Sequence, residues 1–309
     1  MRLSDVEMRN CGQSSRLGRY CIHFHMHGDA SRSYLRGNAV HHSFHRAVAI
    51  HGTHRLRLID NVAYNIEGHA YFLEDGIEME NVFEGNLGIW ARRSHSSLNT
   101  DASPAVFWIT NPQNYFRGNV AAGSDGYGFW FRMRSKPDGA SFSTKETVCP
   151  KWMPLAEFDG NTAHSSDKYG LRIFEEWFPG PIEHACKKQW WRGSNTAHTA
   201  RLTNFLAYKN GMKGAIATVF GNIQFDNFVV ADNGAGPNAH VTNGKDHGGG
   251  VEFTNNRDSR RPTDMPISDM PGLHNSLVVA RTVEGQVGTA GYWPKPGRGI
   301  RGLITQSPK

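Results

Sequence analysis

Three short segments of the chain end in residues that can bind a metal ion or transfer a proton. The segments end on His25, His51 and Glu74, which are separated by 26 and 23 residues. A spacing in the twenties is typical of one coil of a parallel β-helix. If each segment is a strand stacked on the last, the three side chains form one column. Two imidazoles and a carboxylate are the ligand types of a two-histidine, one-carboxylate metal site.

This column predicts a divalent metal ion bound by His25, His51 and Glu74. Neighbouring strands in a parallel stack lie about 4.8 Å apart, so side chains from three coils could converge on one ion. Asp29 and Asp75 follow closely in sequence and are candidates to orient the ligands. The alternative is a structural ladder of hydrogen-bonded side chains, because one residue of register slip would turn a side chain to the other face.

The same segments could cleave a polysaccharide without a metal, and His25, His51, Glu74 and Asp75 are the candidate catalytic residues. A hydrolase usually needs two carboxylates that flank the glycosidic bond. A lyase instead needs a base for the proton beside a uronate carboxylate, and a cation that stabilises the enolate. His25 or His51 is the candidate base, and the choice between hydrolase and lyase stays open.

Four further residues are candidates for binding a sugar chain: Trp130, Arg132, Arg172 and Glu175. Alternation along a strand predicts Phe129 and Phe131 on one face. Trp130 and Arg132 then share the opposite face, where they could form a platform for an acidic sugar. The alternatives are an aromatic ladder in the interior and, for the arginines, surface pairs with glutamate.

An asparagine-centred repeat predicts the elements that position these side chains. An apolar residue, one or two polar residues, asparagine and a small apolar run recur around Asn38, Asn61, Asn86, Asn119, Asn161, Asn204, Asn227 and Asn275. Asparagine tolerates the left-handed conformation of a turn and can hydrogen-bond along a ladder of like turns. Short alternating strands and coils of 23 to 25 residues predict an all-β fold, a single-stranded right-handed parallel β-helix.

We expect one domain over residues 1–309. Loop insertions are predicted near residues 92–104, 135–154, 179–200 and 235–271. The N-terminal residues lack the apolar run of a signal peptide and read like the middle of a coil. The chain is therefore interpreted as a fragment of a longer protein.

The net charge of +6 favours polyanionic partners, although a charge of this size is also modest for 309 residues. No run of eighteen apolar residues occurs, so no membrane contact by this segment is expected. Nucleotide-binding glycine motifs are absent, and no nucleic acid partner is expected.

The four cysteines are Cys11, Cys21, Cys149 and Cys186, and none stands in a CxxC pair, which argues against a thiolate zinc site. Cys149 and Cys186 flank a self-contained stretch and are predicted to form a disulfide, which implies an oxidising compartment. Cys11 and Cys21 are expected to be free and buried.

Three segments, Gly18–Asp29, Arg46–His54 and Gly68–Gly76, resemble the β-helix region shared by fibrocystin-L and the cell-migration-inducing hyaluronidases. The stretch Gly170–Pro179 is more similar to fibrocystin-L. The resemblance implies parallel β-helix repeats in an extracellular, often membrane-tethered protein. It implies glycosaminoglycan depolymerisation for the hyaluronidase branch, and a surface-coat or adhesion role for the fibrocystin branch.

These observations predict an extracellular or cell-surface module that recognises an anionic polysaccharide, such as hyaluronan or a related glycosaminoglycan, through its His- and Glu-lined face. Depolymerisation by a hydrolase or lyase is a further possibility. The alternative is a non-catalytic adhesion or surface-coat module, with a cell-surface protein as partner and a structural histidine column.

Overall fold

Three parallel β-sheets, A, B and C, run along the protein, and each complete coil contributes one strand to each of the three sheets. The computed structural model describes residues 1–95, 99–145, 147–182, 185–186, 198–234, 249–256 and 271–279. Neighbouring strands in every sheet are parallel, as in the register of Leu35 on Leu58 and of Leu58 on Phe83. The predicted parallel β-helix is confirmed. Residues 280–309 of the predicted domain lie outside the described residues.

Sheet A contains nine strands in chain order: β1 (Arg2–Ser4), β4 (Tyr34–Arg36), β7 (Arg57–Ile59), β10 (Val82–Glu84), β13 (Tyr115–Arg117), β16 (Glu157–Asp159), β19 (Ala200–Thr203), β22 (Ile223–Asp226) and β25 (Gly272–His274). Sheet B contains nine: β2 (Glu7–Arg9), β5 (Ala39–His41), β8 (Val62–Glu67), β11 (Leu87–Arg92), β14 (Val120–Ser124), β17 (Thr162–Ser166), β20 (Leu206–Tyr208), β23 (Val229–Ala231) and β26 (Leu277–Val279).

Sheet C contains eight strands and carries the candidate site: β3 (Ile22–Asp29), β6 (Val48–His54), β9 (Tyr71–Leu73), β12 (Ala105–Ile109), β15 (Tyr127–Phe131), β18 (Tyr169–Trp177), β21 (Lys213–Phe220) and β24 (Gly249–Asn256). Short 3-10 helices occupy the loops: Asn99–Ala102, Gly139–Thr144 and Pro150–Trp152. Among the described residues, no helix is long and apolar enough to span a membrane.

Aromatic side chains stack through the interior of the solenoid. The rings of Phe107 and Phe129 lie 4.6 Å apart, and those of Phe83 and Phe116 lie 4.7 Å apart. All four are essentially inaccessible to solvent. Fully burying such a side chain contributes about 1.5–3 kcal/mol, so each coil stabilises its neighbours. As predicted, Phe129 and Phe131 point into this core, and Trp130 belongs to a separate cluster on the outer face of sheet C.

A buried ladder of asparagine side chains joins the first coils at the corner between sheets A and B. The Nδ2 atom of each donates to Oδ1 of the next over 2.9 to 3.0 Å, from Asn38 through Asn61, Asn86 and Asn119 to Asn161. The predicted ladder is confirmed here. The left-handed conformation, however, falls on the residue before each of them: Gly37, Asp60, Gly85, Gly118 and Gly160.

The repeat shifts by one position in the later coils. Asn204, Asn227 and Asn275 themselves adopt positive φ and are exposed. The inward position that follows is taken by Phe205 and Phe228, whose rings lie 5.1 Å apart. Treating all eight asparagines as one equivalent position was therefore wrong. The left-handed corner needs glycine, asparagine or aspartate in every coil, whereas its inward neighbour can be either polar and laddered or apolar and packed.

Two of the predicted insertions fall between consecutive strands. Residues 92–104 and 135–154 carry the three short helices between strands. The prediction of a continuous insertion at 235–271 is wrong, because Gly249–Asn256 forms strand β24, which pairs with β21. Val251 and Phe253 point into the core and make this segment a coil. Parts of 179–200 and 235–271 (183–184, 187–197, 235–248 and 257–270) lie outside the described residues.

All four cysteines are bonded. The predicted Cys149–Cys186 disulfide is confirmed, with Cα atoms 5.3 Å apart. The expectation that Cys11 and Cys21 are free is wrong, because they also form a disulfide, with Cα atoms 5.1 Å apart. The loop between β2 and β3 folds back on itself and brings the two thiols together.

Candidate functional site

The predicted column on sheet C is formed. His25 is in register with His51, and the backbone N–H of Glu74 donates to Ile50 O, which continues the ladder into the third coil. The Nδ1 atoms of His25 and His51 lie 3.1 Å apart. Glu74 Oε2 lies 3.9 Å from His51 Nδ1. Coil length sets this register, so the three side chains meet although they come from separate coils.

A third imidazole completes the cluster and was missed from the sequence. His23 Nε2 lies 3.9 Å from Glu74 Oε2. The nitrogen atoms that His23, His25 and His51 direct at one another all lie within 4.8 Å. Strand alternation could have identified His23, because it stands two residues before His25 and faces the same side. We refer to His23, His25, His51 and Glu74 as the histidine cluster.

Hydrogen bonds determine which ring nitrogens of the histidine cluster carry a proton. His23 Nδ1 donates to the carbonyl oxygen of Gly18 over 3.1 Å, and His51 Nε2 donates to Asp75 Oδ2 over 2.7 Å. In the neutral imidazoles the lone pairs are then on His23 Nε2 and His51 Nδ1, both close to Glu74 Oε2. His23 Nε2 and Glu74 Oε2 are buried and have no hydrogen-bond partner among the described residues.

The pKa values of these groups shift in different directions. Burial raises the pKa of Glu74, and burial lowers the pKa of His23. The hydrogen bond to Asp75 raises the pKa of His51. Burial opposes ionisation of Asp75, but hydrogen bonds from His51 and from the Ser141 backbone N–H outweigh it and lower the pKa of Asp75. Asp75 is therefore an ionised acceptor that fixes the orientation of His51.

The other predicted orienting residue does not reach the cluster. Asp29 is exposed, accepts a hydrogen bond from the Ser31 backbone N–H and pairs with Arg55. Asp75, by contrast, is buried behind His51 and is held by residues of the 135–154 insertion. Asp75 can orient an imidazole but cannot touch a bound sugar.

A buried ion pair between Arg46 and Asp101 is connected to the histidine cluster through Tyr20. Arg46 donates to both carboxylate oxygens of Asp101, over 3.0 and 2.9 Å. It also donates to Tyr20 Oη over 3.1 Å, and Tyr20 Oη donates to Glu74 Oε1 over 3.3 Å. The Arg46 guanidinium lies 3.6 Å from the ring centroid of Phe72. The 92–104 insertion supplies Asp101, and no sequence signal pairs it with Arg46.

His69 lies beside this ion pair and is fully buried. Its Nδ1 accepts a hydrogen bond from the Ala105 backbone N–H over 2.9 Å, which directs Nε2 toward Asp101 Oδ1 at 3.6 Å. Burial lowers the pKa of His69 to about 3. The imidazole is therefore neutral and structural.

Two arginines lie over the tryptophans of sheet C. The Arg172 guanidinium carbon lies 4.3 Å from the ring centroid of Trp130, and the corresponding distance from Arg132 to Trp108 is 5.5 Å. Arg172 donates to Tyr127 Oη over 2.7 Å. Trp130 is 8% exposed, so its ring is not an open sugar platform. The arginine side chains are partly buried and form the outer layer instead.

Arg132 and Glu175 lie beside each other on this surface. The nearest carboxylate oxygen to Arg132 is Glu175 Oε1 at 3.7 Å, and the Glu175 side chain is 55% exposed. Burial, followed by the neighbouring charge of Arg134, lowers the pKa of Arg132. Beyond this pair lies a cavity of about 410 Å³ lined by Met133, Arg134, Ser135, Lys151, Glu175 and Glu176.

The chain shares sequence with known proteins across this region. Residues 1–171 match the family described as CEMIP beta-helix. Fibrocystin-L of Mus musculus is 45% identical over 233 residues, which cover 75% of this chain and 5% of that protein. Cell surface hyaluronidase CEMIP2 of Homo sapiens is 31% identical over 281 residues, which cover 76% of this chain and 20% of that protein.

A further relative is the cell migration-inducing and hyaluronan-binding protein of Homo sapiens, which is 29% identical over 279 residues. The chain spans 5% of fibrocystin-L and 20% of each of the other two relatives. The matched family region contains the whole histidine cluster, Asp75 and Arg132. The chain belongs to the CEMIP beta-helix family.

Proposed function

We propose that the outer face of sheet C binds an anionic polysaccharide of the glycosaminoglycan class, such as hyaluronan. The observation that carries this proposal is the pair Arg132 and Arg172. Both guanidiniums are partly buried on one face, and neither has a carboxylate oxygen at hydrogen-bond distance among the described residues. Charged side chains removed from water are normally paired, so this surface is suited to an incoming anion.

The chemistry of these two residues matches a uronate. A guanidinium binds a carboxylate through two parallel N–H···O bonds, which gives both energy and orientation. Stacking on Trp108 and Trp130 holds the two guanidiniums in place before a ligand arrives. Glu175 is exposed, so it can move aside from Arg132 at little cost.

The geometry of the face also suits a linear polymer. His25, His51, Glu74, Thr110 and Arg132 occupy the same column in successive coils. Four steps of about 4.8 Å place His25 and Arg132 roughly 19 Å apart, so an extended chain along the solenoid axis could contact both. Two relatives carry hyaluronidase or hyaluronan-binding in their names, which supports the same ligand class. The two disulfides support an extracellular or cell-surface location.

Equilibrium binding of size-defined hyaluronan to immobilised protein tests the proposal. Hydrogen bonds to charged groups contribute about 1.5–3 kcal/mol, so Arg132→Gln and Arg172→Gln should each weaken binding about tenfold or more. Arg132→Lys keeps the positive charge but cannot form the bidentate hydrogen bonds of a guanidinium, so it should also weaken binding. The matched control is Arg57→Gln, which removes one exposed positive charge from sheet A.

Equal losses in Arg57→Gln and Arg132→Gln would show that only net charge matters, and would refute the proposed face. Neutral dextran should not compete, whereas chondroitin sulfate should. Thermal denaturation of each variant separates loss of binding from loss of fold.

Depolymerisation is the second candidate function, and the unpartnered Glu74 Oε2 beside two imidazoles is the observation that favours it. Incubation with long hyaluronan, followed by gel sizing, should then show shortening that Glu74→Gln abolishes. Binding without shortening supports a non-catalytic polysaccharide-binding module. If the unaltered protein neither binds nor shortens hyaluronan but does bind a cell-surface protein, the result supports the adhesion module.

A further inference from the structure

We propose that His23, His25, His51 and Glu74 bind one divalent transition-metal ion of the Zn²⁺ type, with Asp75 as the residue that orients His51. This site enlarges the set His25, His51 and Glu74 expected from the sequence by one imidazole. It does not depend on polysaccharide binding.

The three histidines lie close enough to share one ion, and Glu74 lies beside two of them. Ligand atoms at about 2.0–2.2 Å from a tetrahedral centre lie roughly 3.3–3.6 Å from one another. The His25 and His51 Nδ1 atoms are 3.1 Å apart, and Glu74 Oε2 is 3.9 Å from both His51 Nδ1 and His23 Nε2. Small rotations of side chains on adjacent strands would bring all four donors to a shared centre.

The unpaired atoms of the cluster point to a cation between them. Gly18 O and Asp75 Oδ2 each accept the N–H of one imidazole, which leaves lone pairs on His23 Nε2 and His51 Nδ1. These lone pairs and the Glu74 carboxylate face one another. His23 Nε2 and Glu74 Oε2 are buried and have no hydrogen-bond partner among the described residues. A buried polar atom without a partner is destabilising, and one cation would satisfy both atoms together.

The surrounding residues provide the support that metal ligands usually have. Asp75 accepts from His51 Nε2, which is the carboxylate–histidine arrangement that fixes tautomer and ring orientation. Gly18, which accepts from His23, lies in the loop closed by the Cys11–Cys21 disulfide. Two separate loops therefore hold the two imidazoles from behind.

The donor types select the class of ion. Three imidazoles and one carboxylate suit Zn²⁺, Cu²⁺, Fe²⁺ or Ni²⁺, whereas Ca²⁺ and Mg²⁺ prefer oxygen ligands throughout. His25 is exposed, so the ion would be reachable from the face that carries Arg132. The alternative is a metal-free network in which only hydrogen bonds connect these side chains, and the test below distinguishes the two.

The test measures Zn²⁺ content and affinity of the whole chain by elemental analysis after dialysis and by titration calorimetry. We expect one ion per chain, and visible absorption typical of tetrahedral Co²⁺ after substitution. His25→Ala removes an exposed ligand and should weaken affinity at least about tenfold. Asp75→Asn should weaken it about 10–100-fold without removing a ligand.

The matched control is His42→Ala, at the residue that follows strand β5. There His41 and His42 have Nδ1 atoms 2.7 Å apart, and His41 contacts Glu7, so the residue types are the same. Equal affinity in His25→Ala and His42→Ala, or no stoichiometric metal in the unaltered chain, overturns the inference in favour of the metal-free network. Arg132→Gln should bind metal normally, so the metal site and the polysaccharide face can fail separately.

Discussion

Replacing Asp101 by Asn tests whether the 92–104 insertion stabilises the site through one buried ion pair. The Arg46 and Asp101 side chains are 4% and 0% exposed. Removing one partner of a buried pair leaves an uncompensated charge and destabilises by about 3–5 kcal/mol. Arg46 keeps its hydrogen bond to Tyr20 and its stacking on Phe72, so we expect the lower end, about 3 kcal/mol.

The pH dependence of this loss follows from the pKa of Asp101. Burial opposes its ionisation, but the Arg46 guanidinium, which donates to both carboxylate oxygens, outweighs burial and lowers the pKa of Asp101. A carboxyl with a lowered folded pKa stabilises the fold above its unfolded value, near about 3.9, and the stabilisation disappears as pH falls through the folded pKa. Asp101→Asn should therefore lack this part of the acid denaturation.

His69 adds a second acid-sensitive contribution that the variant keeps. Its folded pKa of about 3 lies below its unfolded value. The unfolded chain takes up this proton below about pH 6.5, so stability decreases from there by at most about 1.4 kcal/mol per pH unit. The slope between pH 6.5 and 4 should thus persist in Asp101→Asn.

Guanidinium denaturation at several pH values measures both effects. The control is Asp138→Asn, since Asp138 and Arg134 form an exposed ion pair with side chains 44% and 46% exposed. Such surface pairs contribute about 0–1 kcal/mol. A loss in Asp101→Asn no larger than in Asp138→Asn would refute the buried-pair argument.

Two further predictions concern the scaffold. Asn86→Ala breaks a buried ladder and removes the side-chain partners of the Leu58 carbonyl and the Asn61 backbone N–H, so it should lower the free energy of unfolding by about 2–4 kcal/mol. Asn227→Gly keeps the left-handed corner and loses only an exposed hydrogen bond, so it should cost under about 1 kcal/mol. Similar losses in chemical denaturation would contradict the ladder's role. Cys21→Ser opens a loop of 10 residues and should destabilise by about 2–3 kcal/mol by the same measurement; an unchanged midpoint would contradict the bond.

The histidine column was predictable because coil length alone determines which residues stack. His25, His51 and Glu74 are one coil apart, and the same spacing placed Trp130 and Arg132 on the outer face. The same alternation along strand β3 could also have predicted His23, which stands two residues before His25. The buried ladder from Asn38 to Asn161 followed from periodicity too, because one turn type repeated at one corner aligns its side chains.

Contacts made by the insertions were not predictable in this way. Asp101 reaches Arg46 across 55 residues, and Ser141 reaches Asp75 across 66. The Cys11–Cys21 bond and the strand character of Gly249–Asn256 were missed for a related reason. A disulfide within a loop does not follow the period of the repeat, and neither does a strand that is preceded by a long connection.

The repeat in the amino-acid sequence is sufficient for the solenoid, its register and the column of ligand-type side chains, because each depends on local spacing and alternation. Protonation and exposure depend on neighbours in space. Gly18 and Asp75 select the tautomers of His23 and His51, and Arg172 covers Trp130. Only the tertiary structure brings these partners together, and they turn a polar column into a candidate metal site beside a face that we propose binds an anion.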